Sequence, residues 1–434
     1  MTTPPLDQAA PRGIPAIHAA IAAPAALHRE RRALYQLASE LLLEHCGPHD
    51  LDLDIIDSPL ARHHIGDALA GRTRLSRSAL VGISSVAGAG NGALRVASRP
   101  QANTLLAPAL ETVRAELGRQ QAACGSPELL TETDSERFTA ALAMVHDGVS
   151  LARSVSPELI DDVLAHIALV GLVDPQHAGR LVSASPRAFP GLVLLKGPQS
   201  SVEVAEALVH EGAHQKFFDL AITHDMLNAD SDRCPSFHPP WAPKKRLWPL
   251  EQALAACHAY ACLTWFGHDL GIAARARRYG PESLLPVAGE RCTILGEWLL
   301  DKGDHLGPDA HALLDGLVGR RPRGARVIKS RAGSVIADYF IDTPLTFRHC
   351  GSPDRVLVGR TSRPPQLYWL SGDAAKALEL LADKPLDGIA HTFAQRWGVQ
   401  QFDAADRLTA LFSDLYVSGL IKVRDTAGGA GAPP

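Results

Sequence analysis

The residues of this chain that most directly indicate a chemistry are His210, Glu211 and His214, which form an H-E-x-x-H motif. Positions i and i+4 lie on the same face of an α-helix, so both imidazoles can bind one divalent metal ion. Glu211 lies beside that face, where a carboxylate can accept a proton from metal-bound water or orient a ligand. The motif therefore predicts a metal site with two histidine ligands.

A working metal site needs a third ligand. The motif is followed by Phe217 and Leu220 where a metzincin would carry Gly and His. Glu251 and His258 lie further along the chain, seven residues apart, so both can point the same way from one helix. Either His258 is the third ligand with Glu251 as a proton-handling or orienting group, or Glu251 ligates as in gluzincin peptidases. The sequence favours His258 over Glu251, and over His224, which lies where the motif helix should end.

Two helices must position these side chains. The motif helix is predicted at 200–222, because Ser200 and Glu203 form an S-x-x-E capping box before an apolar run. The second helix is predicted from Pro249 to about Phe266, and small residues within it allow the two helices to approach closely. Short strands are expected just before the motif helix, at 179–184 and 189–195, where aliphatic residues are bounded by Pro and Gly.

The remaining pattern predicts a mainly α-helical protein with a few short strands. Further helices are expected at 25–46, 103–122, 134–152, 156–169, 282–302 and 308–318. After a basic, Gly-rich boundary at 319–326, the pattern changes to strands at 334–341, 355–358 and 367–370, helices at 372–383, 385–397 and 402–418, and a strand at 420–423. We therefore predict a helical metal domain over 25–325 and a small α+β, winged-helix-like domain over 326–424, between disordered tails at 1–24 and 425–434.

Composition excludes several function classes. The formal net charge of -4 and the absence of a basic block of useful length argue against a nucleic-acid partner. Between residues 371 and 425 there are eight acidic and six basic residues, which also argues against DNA binding by the C-terminal domain. No apolar run is long enough for a membrane span, and no signal peptide is recognised, so a cytoplasmic protein is expected. The seven cysteines lack C-x-x-C spacing, which is typical of a reducing compartment.

Two blocks of the chain resemble a known family. The first joins the run 189–195 to the motif at 207–215, and the second contains Pro239-Pro240-Trp241, Arg246 and the segment Cys257-His258-Ala259-Tyr260-Ala261. Over roughly 150–300 they look like the H-E-x-x-H family of peptide β-hydroxylases, which depend on iron(II) and 2-oxoglutarate and modify ribosomally made precursor peptides. The resemblance implies Fe(II) held by His210, His214 and His258. The C-terminal domain is similar to winged-helix domains that bind leader peptides.

Such an oxygenase also needs a cation for the far carboxylate of 2-oxoglutarate, and the planar fork of arginine suits that task. Arg246 is the expected anchor, with Lys244 and Lys245 as alternatives. The usual 2-oxoglutarate oxygenases carry a His-x-Asp or His-x-Glu ligand pair, and here only His28-Arg29-Glu30 matches, in an N-terminal helix. A helical scaffold must therefore build the site.

Two other functions stay open from the motif alone. In a zinc metallopeptidase, Glu211 would be the general base and Zn(II) would activate the attacking water. In a binding protein without catalytic activity, the motif would be structural. Hydroxylation of a side-chain β-carbon in a precursor peptide is the function that the family resemblance implies, with the zinc peptidase as the alternative.

Overall fold

The computed structural model describes residues 24–43, 51–88, 94–117, 127–198, 200–242, 246–273, 282–318, 339–350, 354–383, 386–398 and 400–423. Its helices are α1 Pro24–Leu42, α2 Leu53–Ile56, α3 Pro59–Leu69, α4 Gln101–Leu105, α5 Ala107–Leu117, α6 Ser135–Val155, α7 Pro157–Leu164, α8 Ser201–Thr223, α9 Leu250–Ala273, α10 Leu285–Asp301, α11 Pro308–Val318, α12 Gly372–Asp383, α13 Leu386–Trp397 and α14 Gln401–Val417. Its strands are β1 Leu169–Val173, β2 Ser183–Ala184, β3 Leu192–Lys196, β4 Tyr339–Phe340, β5 Leu345–His349, β6 Arg355–Arg360, β7 Gln366–Ser371 and β8 Lys422–Val423. The mainly helical fold class is confirmed, with 60% helix and 12% strand among the described residues.

The described chain divides into two compact units. Unit 1 comprises the described parts of 1–32, 50–66 and 76–326, and unit 2 those of 33–49, 67–75 and 327–434. Unit 2 also includes N-terminal segments, within 33–49 and 67–75, that the sequence analysis assigns to the metal domain. Packing within unit 2 explains this, because a Cβ on Gly359 of β6 would lie 2.7 Å from the Leu41 side chain of α1. Arg348 of β5 also forms an ion pair with Glu40 at 2.6 Å.

The small sheet of unit 1 has the order β1-β3-β2, with β1 parallel and β2 antiparallel to β3. The strand predicted at 189–195 is present as β3, whereas of the strand predicted at 179–184 only the two residues of β2 are extended. The helix predicted over 156–169 is wrong at its C-terminal end, because α7 stops at Leu164 and β1 begins at Leu169. Every residue of β1 is buried. A fully buried strand is a continuous apolar run, which periodicity alone cannot distinguish from a buried helix.

The motif helix α8 lies at the centre of unit 1. Ser200 caps it, with its hydroxyl oxygen accepting from the backbone N–H of Glu203 at 3.2 Å, as the sequence predicts. The helix packs against α6, α7, α9 and β3. Its approach to α7 is close enough that a Cβ on Gly212 would lie 2.9 Å from Val163 Cβ and 3.0 Å from the Val163 carbonyl oxygen. The helix is therefore buried on nearly every side.

Apart from the additional strand β5, unit 2 has the element order predicted for the C-terminal domain. Strands β5, β6 and β7 form an antiparallel sheet, helices α12, α13 and α14 follow, and β8 pairs with β4. The sequence analysis missed β5, and the predicted segment 334–338 and the two tails lie outside the described residues, apart from Pro24. Its core contains Val358, Leu378, Phe393 and Phe412. Among the described helices of the whole chain, none combines the length and apolarity needed to cross a membrane.

The close crossing of α6 and α8 gives a test of the fold. We expect Gly148→Ala to destabilise the protein by about 1–3 kcal/mol, because a Cβ there would overlap with Val204 Cβ and lie 3.1 Å from the Ser201 carbonyl oxygen. The matched variant Gly271→Ala, in α9, has no neighbouring atom within 4 Å and should stabilise the protein by up to about 1 kcal/mol. Denaturant unfolding measures both. Equal changes in the free energy of unfolding for the two variants would contradict the close contact between α6 and α8.

Candidate metal centre

His210 and His214 lie together on one face of α8, as their spacing predicts. Their ring centroids are 4.7 Å apart and the rings are perpendicular. His210 Nδ1 is buried and has no hydrogen-bond partner. A buried ring nitrogen without a partner is unfavourable unless a ligand occupies it. The pair therefore offers two imidazoles at one point on the helix.

Burial keeps both imidazoles uncharged. Burial and, to a smaller extent, the positive charge of Arg291 together lower the pKa of His210 to about 4. Burial also lowers the pKa of His214 to about 4, with a further contribution from His210. Both rings are consequently neutral near pH 7. A neutral imidazole has the free lone pair that a metal ion requires.

Glu211 is held by two hydroxyl groups. Ser183 donates to one carboxylate oxygen at 2.6 Å and Ser185 donates to the other at 2.5 Å. Ser183 lies in β2 and Ser185 directly follows it, so the two belong to one extended run, residues 183–185, called here the β2 segment, where alternate residues point to the same side. The Glu211 side chain is buried, and it faces the sheet. This arrangement suits an orienting carboxylate better than a base that must contact metal-bound water.

The structure does not bring His258 into one donor group with the motif pair. Among the described His, Cys, Asp and Glu residues, one group of three has donor atoms within 4.8 Å of one another, and it does not contain His258. The His258 ring donates from Nδ1 to the Ala213 carbonyl oxygen at 3.0 Å, and its Nε2 lies 3.9 Å from Cys262 Sγ. His258 is buried, and burial lowers its pKa to about 3. Its role as third ligand stays a prediction.

Glu251, the other candidate for the third ligand, is likewise not grouped with the motif histidines. It occupies the first turn of α9, where it accepts an ion-paired hydrogen bond from Arg187 at 2.6 Å. His224 caps the C-terminal end of α8, with Nδ1 2.8 Å from the Thr223 hydroxyl. The structure therefore brings together two of the predicted ligands, His210 and His214, and it pairs Glu251 with Arg187.

The cation near the motif is Arg291 of α10, which the sequence analysis missed. Its Nη1 donates to the Tyr260 hydroxyl at 2.9 Å. Its guanidinium carbon lies 5.0 Å from the Trp241 ring centroid and 5.4 Å from that of Tyr260. The Tyr260 ring is 5.9 Å from His210. No sequence motif marks Arg291, because three separate segments bring these groups together.

Arg291 has no acidic partner among the described residues, because no carboxylate oxygen of theirs lies within 4.0 Å of its guanidinium nitrogens. A half-buried guanidinium usually pairs with an anion, so the position is suited to a carboxylate ligand. Arg246, by contrast, is exposed in the loop before α9, and its charge acts on Glu116. Lys244 and Lys245 lie outside the described residues.

The one three-donor group that the described residues form consists of His28, His166 and Asp219. Both histidines have a buried Nε2 without a hydrogen-bond partner. Asp219, however, already accepts from His166 and from Arg31, each at 2.6 Å.

The charge around this group argues against a metal ion there. Arg31 also pairs with Asp57, as do two further arginines, Arg32 and Arg62. This network therefore contains three guanidinium groups and two carboxylates. Its net charge is positive before any ion binds. A divalent cation would add to an unbalanced positive charge in a region of low dielectric constant. The motif pair is the better metal site.

No protein-family model matches this chain, and no curated protein shows significant similarity to it. The resemblance to the H-E-x-x-H peptide hydroxylases consequently depends on the two sequence blocks described above.

Metal binding can be assigned to one cluster by substitution. We expect His210→Asn and His214→Asn each to weaken Zn(II) or anaerobic Fe(II) binding by at least about 100-fold, because each removes an imidazole ligand. His28→Asn is the matched control and should bind the metal as the wild type does. Equilibrium dialysis with metal analysis measures all three. Loss of the metal only in the His28 variant would place the ion in the other cluster.

Proposed function

We propose that this protein is a metal-dependent oxygenase that hydroxylates a side chain, at the β-carbon, in a ribosomally made precursor peptide, with Fe(II) and 2-oxoglutarate. The observation that carries the proposal is the pair of neutral imidazoles on α8 beside an arginine without an acidic partner. Bound Fe(II) would supply the activation of O2, with 2-oxoglutarate as the co-reductant. The overall reaction converts substrate, O2 and 2-oxoglutarate into hydroxylated product, succinate and CO2.

The fit to an iron site is supported by the donors of α8. His210 and His214 supply two nitrogen ligands, and a non-haem iron oxygenase uses two histidines and a third protein ligand while leaving positions for cosubstrates. His258 is the proposed third ligand, since its Nδ1–H bond to the Ala213 carbonyl oxygen leaves Nε2 with a lone pair. Coordination by Nε2 requires the ring to move from its contact with Cys262.

The contacts of Glu211 favour the oxygenase over the zinc metallopeptidase. A peptidase of this type needs a glutamate that accepts a proton from metal-bound water. Here both carboxylate oxygens accept hydroxyl groups, from Ser183 and Ser185. Glu211 therefore acts by holding α8 and its imidazoles against the β2 segment.

Arg291 supports the use of a cosubstrate with a carboxylate. Its guanidinium is oriented by the Tyr260 hydroxyl and covered by Trp241, so it is held in place before a ligand binds. It is close enough to His210 for its charge to lower the pKa of that imidazole. Tyr260 contacts both Arg291 and His210, so the arginine would hold the far carboxylate of a dicarboxylate bound beside the motif pair.

For unit 2 we propose a role in binding the leader segment of the precursor. Its three-stranded sheet β5-β6-β7 has β5 and β7 as edge strands within the described residues. An extended peptide can add a strand to such an edge through backbone hydrogen bonds. The slight excess of acidic residues over 371–425 fits a peptide better than a nucleic acid.

The reaction is tested on the full chain, purified anaerobically and loaded with Fe(II). With 2-oxoglutarate, O2 and the precursor peptide encoded beside it, we expect the peptide to gain one oxygen atom by mass spectrometry and succinate to form. Omission of Fe(II) or of 2-oxoglutarate is the control and should abolish both products. A protein that loads only zinc and shows no turnover of 2-oxoglutarate would exclude this function.

The anchor is tested by comparing two arginines. We expect Arg291→Gln to weaken 2-oxoglutarate binding by about 10- to 100-fold, because a desolvated charge-assisted pair contributes about 1.5–3 kcal/mol. Arg246→Gln should change it by less than about twofold, because that side chain is exposed. Thermal-shift titration of the zinc-loaded protein measures binding without turnover. If Arg246→Gln weakened 2-oxoglutarate binding more than Arg291→Gln did, Arg246 would be the anchor instead.

A further inference from the structure

Two cysteines face each other across the contact between α9 and α10. Cys257 lies in α9 and Cys292 in α10. The Cys257 sulfur lies 3.9 Å from the Cys292 carbonyl oxygen, and the Cys292 sulfur lies 3.9 Å from the Cys257 carbonyl oxygen. This reciprocal arrangement places both sulfurs between the two backbones.

The helices approach closely at this point because several interface residues are small. Ala256 and Ala259 flank the cysteine of α9, and Ala288 and Gly289 precede the cysteine of α10. A Cβ on Gly289 would lie 3.6 Å from the Thr264 side chain of α9. A disulfide requires Cα atoms no more than about 7 Å apart. The two reciprocal contacts of 3.9 Å place Cys257 and Cys292 directly opposite each other in the helix contact, which is the placement that such a bond needs.

The two thiols differ in their access to solvent. Cys257 is fully buried, whereas Cys292 is partly exposed. An external oxidant would therefore reach Cys292 first, and Cys257 would be the nearby second thiol. Each cysteine is also the sequence neighbour of a site residue, His258 in α9 and Arg291 in α10.

We propose that Cys257 and Cys292 form a reversible disulfide when the protein meets a peroxide. The Cys292 thiolate attacks the peroxide O–O bond, becomes a sulfenic acid and releases hydroxide. The Cys257 thiol then attacks that sulfur, the S–S bond forms, and water leaves. In total, two thiols and one hydrogen peroxide give one disulfide and two waters. The bond links α9 to α10 across 35 residues of sequence. It does not depend on the proposed hydroxylase activity.

The full chain is treated with hydrogen peroxide, alkylated under denaturing conditions and digested without reductant. We expect a peptide pair joined through Cys257 and Cys292, removed by dithiothreitol, and a rise in Tm because the crosslink restricts the unfolded chain. Cys257→Ser should leave a sulfenic acid on Cys292 that dimedone captures. Cys292→Ser should abolish both the crosslink and the rise in Tm.

Cys234→Ser is the matched control. Cys234 is also partly exposed, but its described contact is the Pro235 carbonyl oxygen, so this variant should form the crosslink as the wild type does. Crosslinking of either cysteine to a different partner would overturn the proposal. So would oxidation of Cys292 beyond sulfenic acid while Cys257 still reacts with the alkylating reagent.

Discussion

The structure of unit 1 depends on the nearly complete burial of α8. A helix in that position can carry polar side chains only if each one finds a partner, because an unpaired buried charge costs several kcal/mol. Lys216 therefore pairs with Asp162 at 2.5 Å, and Gln215 bonds the backbone of the turn at Gly191 and Leu192. These contacts fix the rotation of the helix about its axis, and with it the direction in which the motif histidines point.

That constraint also separates two histidine clusters that would otherwise look equivalent. His166 and Asp219 belong to a network of guanidinium and carboxylate groups whose charges are already matched in part, with positive charge in excess. No such network surrounds the motif pair among the described residues, and the charge that acts on His210 is that of Arg291. The local charge, more than the number of donor atoms, decides which cluster can accept a divalent ion.

The second constraint is the close contact of α9 with α10. Small residues at this contact bring Arg291 beside Tyr260, and they also bring the two thiols of Cys257 and Cys292 together. The proposed cosubstrate anchor and the proposed disulfide thus share one helix pair. A change that separates these helices would affect both.

The sequence alone determined the motif helix, its serine cap, the helical character of unit 1 and the element order of unit 2. Each of these depends on residues close together in the chain, where spacing and periodicity apply. The tertiary structure decided which cation lies near His210, what holds Glu211, and that the buried run at Leu169 is a strand. Arg291, Ser183 and His210 are far apart in sequence, so only packing brings them together. No local sequence pattern predicts these contacts, because they result from the burial of α8 among its neighbours.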